Sequence, residues 1–276
     1  MRIRLAHSPD PDDAFMFYGL ATGAVDAGPY EFEHVLEDIQ TLNDRARRGE
    51  YEVTAISIAS YPRLAQQYVL TACGASMGDD YGPMVVSKTP LEVTELVGRR
   101  IAVPGVMTTA YLTLQLLLGK NSFDAQVVMF DRIPDEVVGG KVDAGLLIHE
   151  GQLTYEQHGL HLVIDLGVWW KKRTGLPLPL GGNVIRRDLG NAHCRAIAGI
   201  IRESIQFGLD HRSEAVQYAL QFGRGLDESL ADRFVGMYVN ERTLDYGQEG
   251  REAVRRLLQE GSAAGLVSDT GEIEFL

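Results

Sequence analysis

A chain of 276 residues, 45% hydrophobic and 23% charged, has the make-up of a globular protein with one large or two smaller domains. Its net charge of −12 argues against a nucleic-acid backbone or an anionic membrane surface as partner, and leaves a small anionic ligand to be read by local groups. No apolar run approaches the roughly 20 residues of a membrane span, and Asp10, Asp12 and Asp13 interrupt any secretory apolar core, so no membrane partner and a cytoplasmic location are expected.

Ile3–His7 reads as a first strand, followed by the turn Ser8-Pro9-Asp10-Pro11-Asp12-Asp13 and a helix over Ala14–Thr22. A strand at Glu31–Leu36 leads to a helix capped by Asp38 and ending near Gly49. Val53–Ile58 is a third strand. Val69–Ala75 and Pro83–Ser87 are further strands around the turn Gly78–Gly82, and a short helix is expected over Leu91–Val97. After a strand at Arg100–Val103, Thr108-Thr109 opens an apolar helix, Ala110–Leu118, which Gly119 ends. Gln126–Phe130, a helix over Ile133–Val138 and a strand over Ala144–Ile148 repeat the alternation. A helix at Gln152–His158, a strand at Leu160–Asp165 and a helix holding Trp169 and Trp170 follow. Leu176-Pro177-Leu178-Pro179-Leu180 is extended, because proline excludes helix. From Leu189 onward the pattern is helical: His193–Leu209, Ser213–Phe222, Glu228–Val239 and Glu249–Gly261.

Strands alternating with helices point to an α/β fold with two parallel or mixed sheets. Two such runs followed by helices imply a bilobal plan of the type II periplasmic-binding-protein class, with a ligand cleft between lobes. The expected limits are 1–85 plus 183–276 for the first lobe and 86–182 for the second. The chain then crosses near Gly82–Ser87 and Pro177–Gly182.

The chemistry centres on Gly145-Leu146-Leu147-Ile148-His149-Glu150-Gly151. A buried strand running into His149 puts an imidazole at a carboxyl strand end, where open α/β sheets bind ligands, and Gly151 is expected to turn the chain. Imidazole titrates near neutrality, so His149 is the candidate general base; the competing role is a structural histidine bonded to a backbone carbonyl. Three strand-to-helix junctions add polar groups: Ser8 to Asp13, Ala55-Ile56-Ser57 and Thr108-Thr109-Ala110. Helix starts offer unpaired N–H groups and a positive dipole end. The Ser57 and Thr109 hydroxyls are expected on opposite lobes, both facing the cleft. Each junction also serves as a plain cap, and the acids as favourable charge at a helix start. His158 and His161 make a poor metal pair across a helix-to-strand break. Trp169 and Trp170 either stack a ligand or pack on the extended segment. Cys73 and Cys194 are expected as free thiols. Phosphate-loop, dinucleotide-glycine, Gly-x-Ser-x-Gly and Cys-x-x-Cys patterns are absent, so neither cofactor nor metal is expected.

Ser8-Pro9, Asp13, Phe15-Met16-Phe17-Tyr18, Leu36-Glu37-Asp38 and Thr41-Leu42-Asn43 resemble the 1,4-dihydroxy-6-naphthoate synthase family. So do Val103-Pro104-Gly105, Thr108-Thr109-Ala110-Tyr111, Ile148-His149-Glu150 and Tyr238-Val239-Asn240. The most specific part is Asp165-Leu166-Gly167-Val168-Trp169-Trp170 with Thr174 through Gly181. The resemblance implies the bilobal fold and a carbon–carbon lyase of the futalosine route to menaquinone. Such an enzyme cleaves cyclic dehypoxanthinylfutalosine to 1,4-dihydroxy-6-naphthoate and a three-carbon fragment, dihydroxyacetone. It implies His149 as proton acceptor, substrate contacts at Ala55, Ile56, Ser57, Thr109 and Ala110, and no cofactor; Thr108 and Asp13 join the candidates from their junctions. At one junction the chain departs from the family pattern: Asp10 and Asp12 stand where Ser-Pro-Cys-Pro-Asn-Asp has cysteine and asparagine. Those carboxylates repel an anionic substrate if they face the cleft. A solute-binding protein or a chorismate-dehydratase-like enzyme on the same fold is the alternative, and the chain is expected as monomer or homodimer.

Overall fold

Residues 1–223 and 226–276 are described in the computed structural model. The chain begins with β1 (Arg2–His7), α1 (Pro11–Met16), α2 (Tyr18–Ala21), β2 (Glu31–Leu36), α3 (Ile39–Ala46), β3 (Val53–Ser57), β4 (Tyr68–Leu70) and β5 (Ser76–Gly78). It then crosses to β6 (Met84–Ser87), β7 (Arg100–Val103), α4 (Thr109–Leu118), β8 (Asp124–Val127), α5 (Ile133–Val138), β9 (Ala144–Leu147), α6 (Gly151–Thr154), β10 (His161–Asp165) and α7 (Leu166–Thr174). It returns through β11 (Leu178–Arg186) and ends in α8 (Asn191–Asp210), α9 (Arg212–Ala219), α10 (Glu228–Tyr238), α11 (Glu241–Leu244) and α12 (Gly247–Ala263).

The strands form two mixed sheets. One runs β2-β1-β3-β11-β4, with β5 also on β11; the other runs β10-β6-β9-β7-β8. In the first, β1 pairs in parallel with β2 and β3, while β11 runs antiparallel to β3, β4 and β5. In the second, β7 is parallel to β8 and β9, and β6 is antiparallel to β9 and β10. A returning strand must enter against the local direction, which is why neither sheet is purely parallel.

Differences from the sequence reading have local causes. The first helix breaks in two because the Ser204 hydroxyl inserts into its ladder, donating to the Met16 carbonyl at 2.9 Å and accepting from Leu20 N at 3.3 Å. Of the expected strand Val69–Ala75 only Val69 and Leu70 are strand, in β4; β5 follows at Ser76–Gly78, and the two pair with different parts of the nine-residue β11. The extended proline segment is the first half of β11, and its register shifts between Pro179 and Gly181, where proline cannot donate to the ladder. Residues 91–97 hold only a 3-10 turn, Val93–Leu96. Both cysteines are free and buried.

One apolar cluster spans both sheets. Ile56, Leu70 and Val184 of the first and Val85, Ile101 and Leu146 of the second meet through Leu112 and Leu114 of α4, Trp170 of α7 and Val254 and Leu257 of α12. Backbones touch where α7 begins: a Cβ on Gly167 would lie 1.8 Å from the Tyr81 carbonyl oxygen, so only glycine fits. Polar ties reinforce this side. The Thr109 hydroxyl donates to the Leu180 carbonyl at 2.6 Å and accepts from Ala59 N at 3.1 Å. Gln40 accepts from Met107 N at 3.1 Å, and Ser60 donates to the Met107 carbonyl at 2.9 Å.

Replacing Thr109 by Val keeps its shape and strands two buried backbone groups. We expect a loss of about 1–3 kcal/mol in urea unfolding; unchanged stability would show that the hydroxyl is not a tie. A second expectation concerns His7, which is buried, with Nδ1 3.0 Å from the Ser8 carbonyl and Nε2 3.1 Å from His34 Nδ1. Burial, then the neighbouring His34, hold its pKa down at about 4. The unfolded imidazole protonates near 6.5, so stability present above that pH is lost as pH falls toward 4, by about 3 kcal/mol at the limit. Melting between pH 7.5 and 4.5 should therefore fall more steeply for the wild type than for His7→Gln.

Candidate active site

The carboxyl ends of β1, β3, β7 and β9 converge on a cavity of about 100 Å³ between the two sheets. This is the position expected of a ligand site in open α/β sheets. Asp13, Ala55, Ile56, Ser57, Thr108, Thr109, Ala110 and His149 all line it. Ser8, Asp10, Asp12, Gln152, Asn183, Phe234 and Tyr238 share the lining.

His149 follows β9 by two residues and has φ of +54°, a left-handed conformation rare outside glycine. The chain therefore turns at His149 itself, before Gly151. The turn aims the ring across the cavity. Nδ1 meets the Asp10 carboxylate at 2.8 Å, and Nε2 has no hydrogen-bond partner among the described residues. The edge of the imidazole faces Phe130, with centroids 4.8 Å apart. The partner is thus a carboxylate from the other sheet, and no carbonyl bond of the purely structural kind is made.

The acids of the first junction face the cavity. Asp10, Asp12 and Asp13 are all buried. Asp13 accepts from Ser8 N at 2.7 Å and Asp12 from the Ser76 hydroxyl at 3.3 Å. Burial, then the charge of Asp10, raise the Asp12 pKa to about 7; burial and then Asp12 hold Asp13 well above the ordinary carboxylate range. Burial pulls His149 down, yet the charge and hydrogen bond of Asp10, with Asp12 and Glu150 adding, carry it up to about 9. The buried cluster thus holds extra protons near neutrality, which reduces the repulsion its carboxylates exert on an anion. Asp10, Asp12 and His149 place ligand-type atoms within 4.8 Å of one another. Asp10 pairs with His149 and Asp12 with Ser76, while Asp12 Oδ1 and His149 Nε2 are buried with no hydrogen-bond partner among the described residues.

The junction hydroxyls divide by role. Ser57 accepts from the Asn43 amide at 3.0 Å, which leaves its own proton for an acceptor in the cavity. Thr108 is a cap, accepting from Tyr111 N at 3.2 Å and donating to the Gly105 carbonyl at 2.8 Å. Thr109 lines the cavity as expected, but its hydroxyl accepts from Ala59 N and donates to the Leu180 carbonyl, so its proton is engaged within the framework. What α4 can offer is its first N–H groups, at Thr109 and Ala110, which have no intrahelical partner.

The sequence reading missed Gln152, Asn183 and Tyr238. Gln152 and the Tyr238 hydroxyl share a hydrogen bond of 2.8 Å across the cavity, and Asn183 donates to the Gly74 carbonyl at 3.2 Å. Nothing local marks Gln152. A polar residue between the apolar and glycine positions of β11 was the available signal for Asn183. Trp170 is buried and donates to the Pro177 carbonyl at 3.1 Å, and Trp169 stacks against Arg173, so neither lines the cavity. His158 and His161 are exposed and sit either side of the expected helix-to-strand break.

Comparison with known proteins agrees with this architecture. The solved structure of protein AF1704 from Archaeoglobus fulgidus superposes with a TM-score of 0.92 at 48% identity, covering 96% of this chain and 98% of that one. The alkanesulfonate-binding protein SsuA from Xanthomonas axonopodis superposes with a TM-score of 0.72 at 12% identity, covering 98% and 95%, which shows the periplasmic-binding-protein-like fold alone. The 1,4-dihydroxy-6-naphthoate synthase of Thermus thermophilus is 43% identical over 266 residues, 96% of each chain. Residues 3–263 match the family described as menaquinone biosynthesis. Near-complete coverage by both family and relative leaves one assignment: the chain belongs to the menaquinone biosynthesis family of enzymes.

Proposed function

We propose that the protein is a carbon–carbon lyase that cleaves cyclic dehypoxanthinylfutalosine to 1,4-dihydroxy-6-naphthoate and dihydroxyacetone, acting in the cytoplasm. The observation that carries this is His149, held by Asp10 with Nε2 open to the cavity. No helix among the described residues is long and apolar enough to cross a membrane.

The substrate carries a ring carbonyl beside the carbon attached to the sugar remnant. His149 Nε2 takes a proton from that position or from a sugar hydroxyl. With the sugar hydroxyl deprotonated, its oxygen becomes the carbonyl of the departing three-carbon fragment, the electrons of the broken carbon–carbon bond pass into the ring carbonyl as an enolate, and that enolate takes up a proton to give the aromatic diol. Aromatisation drives the step, so acid–base groups suffice, and a positioned base contributes about 10²–10⁴-fold. We further propose that Ser57 and the α4 N-terminus at Thr109 and Ala110 hold the substrate's anionic or carbonyl oxygens, while Ala55 and Ile56 pack its ring. Asp13, held by the Ser8 amide, shapes the floor.

The lobes in this proposal are residues 1–85 with 183–276, and residues 86–182, with β6 and β11 running through the joints. The 100 Å³ cavity is smaller than the roughly 300–1,000 Å³ of typical small-molecule sites, so the lobes part to admit the substrate.

The test is incubation of the purified protein with cyclic dehypoxanthinylfutalosine, following naphthoate by absorbance and mass. His149→Asn should keep its melting temperature and bind substrate while turnover drops by about a hundredfold or more. Near wild-type turnover in that variant would move the base to a carboxylate of the first junction, Asp13 before Asp12.

A further inference from the structure

Asp10 comes from the turn after β1 in the first sheet, and His149 from the turn after β9 in the second. Their 2.8 Å contact is therefore made across the cleft. Asp10 is 1% exposed, so its carboxylate is withdrawn from water and held by the protein. We propose that Asp10 is a positioning residue: its carboxylate holds the proton on His149 Nδ1, fixes the ring in one tautomer and leaves Nε2 as the atom that takes the substrate proton. This rests on the reading of His149 as the base.

The chemistry follows from the geometry. A neutral imidazole carries one N–H, and the nitrogen that accepts is decided by the partner of the other. An ionised carboxylate accepts only, so it selects the Nδ1–H tautomer. As Nε2 takes up the substrate proton, the imidazolium that forms stays paired with the charge beside it, and no proton needs to leave Nδ1. Without Asp10 the ring would rest in its left-handed turn against the edge of Phe130, with nothing to choose between its two faces. The titratable groups around the ring are Asp10, Asp12 and Asp13 from the first junction, Glu150 beside it, and the Tyr238 phenol beyond Gln152. Of these, Asp10 is the carboxylate whose ion pair with the ring is resolved.

The experiment uses the full chain with ¹⁵N-labelled histidine. Long-range ¹H–¹⁵N spectra report tautomer and titration of His149 without substrate, and steady-state kinetics run in parallel. In the wild type we expect an Nδ1-protonated ring titrating at about 9 and a kcat/KM that rises with pH to a plateau above it. Asp10→Asn can accept or donate toward Nδ1. The titration should move toward 6.5 and the tautomer become mixed, while kcat falls by about 10²–10⁴-fold and KM changes less than about threefold. Asp10→Cys, which removes the carboxylate with a side chain of similar size, should also shift the titration and keeps the test open if the asparagine variant fails to fold. An unshifted His149 titration in both variants would overturn the proposal, as would equal losses in kcat and gains in KM with the tautomer unchanged. If the spectra shift as expected but the wild type does not turn over cyclic dehypoxanthinylfutalosine, the dyad stands and the assigned substrate fails.

Discussion

Everything at this site depends on placing three carboxylates and an imidazole where water is excluded. A buried charge is costly unless it is paired or takes up a proton, and the cluster does both. Asp10 is paired with His149, while Asp12 and Asp13 are pushed toward the protonated form. The arrangement needs both sheets. The acids enter on the short helix after β1, the histidine on a strained turn after β9, and neither end satisfies itself alone. The broad apolar cluster through α4, α7 and α12 is what holds the sheets at the distance the pair requires.

The same cluster resolves an apparent conflict. A net-negative protein with acids lining its cavity is a poor receptor for an anion at first sight. Burial pushes Asp12 and Asp13 toward the protonated form, and Asp10 is paired with His149; in the function proposed above, the groups that meet negative charge are the Ser57 hydroxyl and the open N–H groups at the start of α4.

Much of this was legible in the sequence, because periodicity and punctuation are local. Buried strands, the Asp38 cap and the Gly119 stop stand where the sequence pattern placed them. The apolar run into His149 pointed to the right end of the right strand. What was not legible is what depends on partners far away in the chain. The break after Met16 is made by Ser204, the Thr109 hydroxyl is consumed by Ala59 and Leu180, and the His149 partner is Asp10 rather than the adjacent Glu150. No spacing rule connects residues 10 and 149.

That a base and its anchor belong to different sheets makes the contact a latch. In the function proposed above, ligand enters as the sheets part on the side of the cavity away from the shared core, where the Asp10–His149 pair and the Tyr238–Gln152 bond lie between them. Losing the Nε2 proton would make His149 a base while its Nδ1–H bond to Asp10 stays, so that only the ionic part of the contact is lost. One proton would then set both how reactive the site is and how firmly its two sides are tied.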